Sequence, residues 1–210
     1  MFERFTKDAR AVVRSAAVHA ERAGAQRVEE THVLLALLDG EGGRGSRALT
    51  SLGLPPGRRE GLVRDLGEVR RRGGLSRADA DALSGLGIDV CEIVSRVEEA
   101  HGEGALATEG KGSSGARVFG GRLFDRGARE LLADTLRIAL ARRERHIGDE
   151  HLLLALSARR GAPSEILADH GVTYTALARV LYGEDGEDGE DGRGDDGGDE
   201  GDGGVTAKAG

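Results

Sequence analysis

His32 and His151 each stand just before a leucine-rich run, and His146 lies close to the second in the segment His-Ile-Gly-Asp-Glu-His. Imidazoles beside carboxylates can hold zinc, but a helical site needs two histidines one turn apart with a carboxylate, as in His-Glu-x-x-His. That spacing is absent, so no metal is expected. A histidine that opens a helix, bonded to its own turn or packed at its edge, fits both positions better. Gly110-Lys111 is the nearest approach to a phosphate-binding loop. Such a loop needs Gly-x-x-x-x-Gly-Lys followed by Ser or Thr, because backbone N–H groups cradle the phosphates and the hydroxyl binds magnesium. Here Ala105 occupies the first glycine's place and Gly112 the hydroxyl's, so ATP binding is not expected. A reactive thiol needs a cationic neighbour or a helix N-terminus, whereas Cys91 sits beside Val90 and Ile93 and reads as a lone, partly buried cysteine. With no Ser-His-Asp or paired-carboxylate spacing either, the sequence predicts no catalytic site and no cofactor.

Charge is the next source of chemistry. Arg70-Arg71-Arg72 and Arg142-Arg143 with Arg145 are basic clusters, but they fall near expected helix ends, where cations offset the helix dipole. Nucleic acid would need a net-positive face, and the acidic C-terminal segment would compete for it, so no nucleic-acid partner is expected. That segment, 183–210, carries 11 acidic side chains against Arg193 and Lys208, a net of −9. The whole chain of 210 residues has a formal charge of −7, so residues 1–182 are near neutral at +2. Only this body can bury a core. Aromatic residues make up 3% with no Trp, which argues against base-stacking platforms and aromatic-rich β-sandwiches. The single cysteine excludes an intramolecular disulfide and fits a reducing compartment. The N-terminus MFERFTKDAR has no apolar core, and no apolar run approaches the roughly 20 residues of a membrane span. A cytoplasmic protein without membrane contact is expected.

These residues must be positioned by helices, and the helices come in a repeat. Segment 5–38 aligns without gaps on 124–157: Phe5 meets Phe124, Ala9-Arg10 meets Ala128-Arg129, and the runs beginning at His32 and His151 coincide. Ala9, Val12, Val13, Ala16, Ala17 and Ala20 form one helical stripe, repeated by Ala128, Leu131, Leu132, Thr135, Leu136 and Ala139. A polar break follows, Glu29-Glu30-Thr31 or Gly148-Asp149-Glu150, suited to a helix N-terminus. The helix after it is apolar on nearly every side and should be the buried centre of its unit. A third helix ends at Gly53 or Gly171, and a fourth covers 57–71 or 173–182, the latter with Leu177, Val180 and Leu181 inward. Between the copies, 76–101 echoes the second half of a unit, with Val90, Ile93, Val94 and Val97 expected inward. The organisation is therefore all-α. It comprises two tandem pseudo-symmetric four-helix repeats over 1–71 and 123–182, a helical insertion over 72–101, a flexible Gly/Ser-rich linker over 102–122 and a disordered acidic tail over 183–210.

Two copies of Phe-[Thr/Asp]-x-x-Ala-Arg, a long amphipathic helix, His-[Val/Leu]-Leu-Leu-Ala-Leu and Leu-x-x-[Leu/His]-Gly-[Leu/Val] resemble the double Clp N-terminal repeat, the Clp R domain, of ClpC type. The resemblance covers about 5–71 and 124–182, while the long insertion departs from the ordinary domain. Without a phosphate-binding loop the chain reads as a stand-alone recognition domain lacking the ATPase modules.

The resemblance implies protein partners: Clp substrates, adaptors or a Clp unfoldase. It also implies, in each half, a phosphoarginine pocket made by a Thr after the first Phe and a Glu before the His of the second helix. Here the first half pairs Thr6 with Thr31, and the second pairs Asp125 with Glu150. A guanidinium needs a carboxylate and a phosphate is repelled by an aspartate, so both halves read as compromised for phosphoarginine. Protein binding is expected at the junction of the repeats, through Thr6, Arg10, Thr31 and His32 on one side and Asp125, Arg129, Glu150 and His151 on the other. The function implied is that of an adaptor or decoy for a ClpC-type unfoldase. The alternatives are an interaction protein unrelated to proteolysis, or a remnant of an ATP-dependent Clp subunit.

Overall fold

The apolar stripe starting at Ala9 lies on helix α1, Lys7–Arg22, with all six of its residues buried. Its counterpart is α7, Arg126–Ala141, where Leu136 is only partly buried. A computed structural model describes residues 2–102, 105–107, 118–119 and 122–183. The acidic tail from 184 onward and most of the expected linker lie outside the described residues.

The helices after the two polar breaks are α2, Glu30–Asp39, and α8, Asp149–Ala158. On α8 every residue from Asp149 to Leu156 is buried. Leu152, Leu153, Leu154 and Leu156 make it the centre of the core, each leucine contributing about 1.5–3 kcal/mol on burial. Helices α3, Arg44–Ser51, and α9, Ala162–Asp169, follow. They lead to α4, Glu60–Arg71, after a 3-10 turn at Pro56–Arg58, and to α10, Tyr174–Tyr182. Gly53 and Gly171 take φ of +88° and +78°, the left-handed conformation that lets the chain turn sharply out of each third helix. In the insertion, α5, Arg77–Gly85, and α6, Val90–His101, form a hairpin.

Two side chains expected inward are not. Ile93 on α6 and Val180 on α10 are both exposed, since a helical stripe says which side of a helix is apolar and not how far a neighbour covers it. Cys91, expected partly buried, is also exposed, because α6 turns only Val90 and Val94 fully inward.

Short strands complete the helical fold and cross between the copies. Strand β1, Arg27–Val28, precedes α2 and pairs in parallel with β3, Arg122–Phe124, ahead of α7, placing Val28 against Phe124. Strand β2, Val118–Phe119, pairs antiparallel with the other edge of β3. The equivalent residues of the opposite copies, Phe5 and Ile147, form a parallel bridge. There Thr6 N donates to Ile147 O at 2.9 Å and Ile147 N to Arg4 O at 2.8 Å. Each copy's first helix therefore starts against the segment that leads into the other copy's second helix. Helices α8 and α3, α4 and α9, and α10 and α3 also pack across the boundary, so one continuous core joins both repeats.

Candidate protein-binding site at the repeat junction

The crossed strands decide which of the sequence-derived residues meet. The Thr6 hydroxyl caps α1 by accepting from Ala9 N at 3.1 Å, and its backbone is bonded to Ile147. Asp125 caps α7 by accepting from Ala128 N at 2.6 Å, and its own N–H donates to Val28 O at 3.0 Å. Thr6 and Arg10 accordingly lie by the turn into α8 with Glu150, while Asp125 and Arg129 lie by the turn into α2 with Thr31. The start of each copy's first helix is thus set against the other copy's turn. The cause is that strand pairing at this junction is reciprocal and long-range.

His32 and His151 are fully buried. The ring Nδ1 of each accepts from a backbone N–H at 3.0 Å, that of Glu29 for His32 and of Gly148 for His151. Each histidine thus serves its own helix start, and neither side chain is presented to a partner. Accepting at Nδ1 leaves the neutral His151 ring with its proton on Nε2, which faces the Tyr182 hydroxyl at 3.4 Å and Glu144 Oε1 at 3.7 Å. Burial, the main cause, holds the pKa of His151 below that of an ordinary histidine. The same cause pushes the Tyr182 hydroxyl up to about 12.

Glu150 is buried, with Arg44 Nη1 donating to its Oε1 at 3.0 Å and lying 3.4 Å from Glu144. Burial outweighs this partner and, with Asp149 beside it, pushes the Glu150 carboxyl up to about 7. Glu144, Glu150 and His151 bring ligand-type atoms within 4.8 Å of one another. The Arg44 guanidinium already supplies the positive charge that such a group attracts, so these residues fit an ion only if Arg44 swings away. Arg142 stacks over the Tyr182 ring at 4.1 Å.

A second arginine answers from the other repeat. Arg159 donates to Glu30 at 2.6 Å, to Asp134 at 2.6 Å and to Glu130 at 3.2 Å. Arg44 and Arg159 thus clamp the junction from opposite sides, one reaching into the second copy and one into the first. Asp149 adds a third cross-link, its Oδ2 accepting from Gly45 N at 2.9 Å and so capping α3 from the other repeat. Arg44, Glu144, Asp149, Arg159 and Tyr182 carry the electrostatics of the junction and escaped the sequence reading. The Arg44 and Asp149 links span a hundred residues or more, with no local spacing to reveal them.

The fold and this junction define a helical repeat domain whose two copies are cross-linked by strand pairing and arginine clamps. Residues 4–72, about a third of the chain, match the model of the Clp repeat (R) N-terminal domain. The matched stretch is the first repeat, to which the second aligns over 34 positions without a gap. The chain is also similar to the solved N-terminal domain of the caseinolytic protease associated chaperone ClpD from Arabidopsis thaliana. The two are 17% identical with a TM-score of 0.47, over 86% of this chain and 94% of that one. No curated protein matches the sequence. Among the described residues, no helix is long and apolar enough to cross a membrane.

Proposed function

We propose that this protein is a non-catalytic recognition module of a cytoplasmic Clp proteolysis system, acting as an adaptor or decoy for a ClpC-type unfoldase. The observation that carries this reading is the Clp repeat at 4–72. In this reading the contacts form where the repeats cross, with Thr6, Arg10, Thr31, Asp125 and Arg129 at the surface and His32, Glu150 and His151 shaping it from within. Phosphoarginine is not the favoured ligand. The carboxylate that would take its guanidinium, Glu150, is already held by Arg44, and Asp125 meets the phosphate with like charge.

The test is client degradation by a purified ClpC-type unfoldase and its protease, with and without this protein. An adaptor accelerates loss of a subset of clients, and a decoy slows it. Unchanged rates, together with no binding to client or unfoldase by calorimetry, would rule the proposal out. A chain of this fold that hydrolysed ATP by itself would also contradict it.

A further inference from the structure

The α5–α6 hairpin in the insertion turns as α9–α10 does in the second repeat. Residues 77–101 align on 161–185 without a gap, so Leu83, Gly87, Ile88 and Ile93 stand for Leu167, Gly171, Val172 and Leu177. The turns agree in detail. Gly87 and Gly171 have φ of +80° and +78°. Ile88 N donates to Leu83 O at 2.9 Å, and Val172 N to Leu167 O at 2.8 Å. Asp89 and Thr173 then cap the helices that follow.

What differs is the covering. In the second repeat Leu167, Val172 and Leu177 are completely buried, and α8 packs on both helices of that hairpin. Among the described residues, the insertion has no helix of its own in the α8 position. Its corresponding Ile88 and Ile93 remain 40% and 47% exposed, with Leu86 at 78% beside them. The hairpin is tied to α4 by Arg71, which grips Glu98 through two hydrogen bonds of 3.1 and 2.7 Å, while buried Val90 faces Val69 of α4 and Ile166 of α9 across an open groove.

We propose that this hairpin is a docking surface for an apolar helix of a partner protein, seated on Leu83, Ile88 and Ile93 as α8 is seated on Leu167, Val172 and Leu177. The two complete repeats supply the template for the occupant: a helix of about ten residues with leucines on the contacting face. Charge supplies the rest of its description. Segment 76–101 carries Asp79, Asp81, Asp89, Glu92, Glu98 and Glu99 against Arg77 and Arg96, a net of −4, which favours a helix with lysine or arginine on its flanks. The same charge disfavours a second copy, whose hairpin would bring −4 against −4 and whose α2 and α8 are already buried at home. This surface is separate from the repeat junction and does not depend on the function proposed above.

The test uses the full chain and a fluorescent Leu/Lys peptide of roughly four helical turns, with leucines along one face, read by anisotropy at physiological salt. A scrambled peptide of equal composition is the control. The amphipathic peptide should bind the wild type, and roughly tenfold more weakly the Ile88→Asp and Ile93→Asp variants, whose helical circular dichroism should be unchanged because both positions are exposed. Leu140→Asp, an exposed position on α7, should bind like wild type. Equal binding to all variants would mean general attraction to the acidic tail and would overturn the proposal. So would absence of binding, equal binding of the scramble, or a dimer in sedimentation that Ile93→Asp dissociates.

Discussion

Glu150 is a carboxylate in a conflicting environment: burial favours its neutral form, while Arg44 at 3.0 Å favours its charge. Burial prevails, and the folded pKa of about 7 lies above the ordinary 4.5. The stability this group contributes is therefore full below about pH 4.5 and is lost as pH rises to about 7, because the native state holds a proton that the unfolded chain releases. His151 works in the other direction. Its depressed pKa makes the fold lose stability as pH falls below its ordinary 6.5, so the wild-type curve alone is muted. Glu150→Gln has no carboxyl to ionise and keeps an oxygen for Arg44. From about pH 4.5 to 7 it should avoid a loss of about 2 kcal/mol that the wild type suffers, measured by urea unfolding across that range. Parallel curves for the two proteins would mean that Glu150 ionises normally in the fold.

Among the elements, the helices with one apolar stripe were the most legible in the sequence. Ala9 to Ala20 and Ala128 to Ala139 declare α1 and α7 because burial on a helix repeats with the helical turn. The dense Val33-Leu34-Leu35 and Leu152-Leu153-Leu154 runs likewise mark the central helices. Less legible was how completely each stripe is covered, as Ile93 and Val180 show. The start of α3 was opaque, since its cap comes from Asp149, more than a hundred residues away. That cap has a steric condition: a Cβ at Gly43 would lie 2.1 Å from Asp149 Oδ2. Gly43→Ala should expel the carboxylate and leave the Gly45 N–H without its acceptor, destabilising the protein by roughly 1–3 kcal/mol. Thermal unfolding would register this as a lower Tm, and an unchanged Tm would mean that Asp149 contributes nothing to holding α3.

At the scale of the molecule, the repeat was readable from Phe5 and Phe124 onward, but its consequence for the site was not. Sequence order groups Thr6 with Thr31 and Asp125 with Glu150, whereas the paired strands group the first copy's helix start with the second copy's turn. Such regrouping follows from pairings between residues 96 and 142 positions apart, which no local pattern encodes. The two arginine clamps obey the same logic: Arg44 reaches Glu150 and Arg159 reaches Glu30.

The reciprocal strand pairing also means that the copies are held together by more than the peptide that connects them. Each half is held by the other's strand edges, buried leucines and arginine clamp as well as by the covalent tether. The tether can then lengthen at a cost that grows only as the logarithm of its length, which explains how this chain accommodates a 30-residue insertion, 72–101, without parting its repeats. Fragments 1–107 and 108–210, produced as separate chains, should find each other in solution and rebuild the native core. Size-exclusion chromatography and circular dichroism of the mixture would detect this; two fragments that stay apart would show that the tether, and not the crossed edges, keeps the halves together.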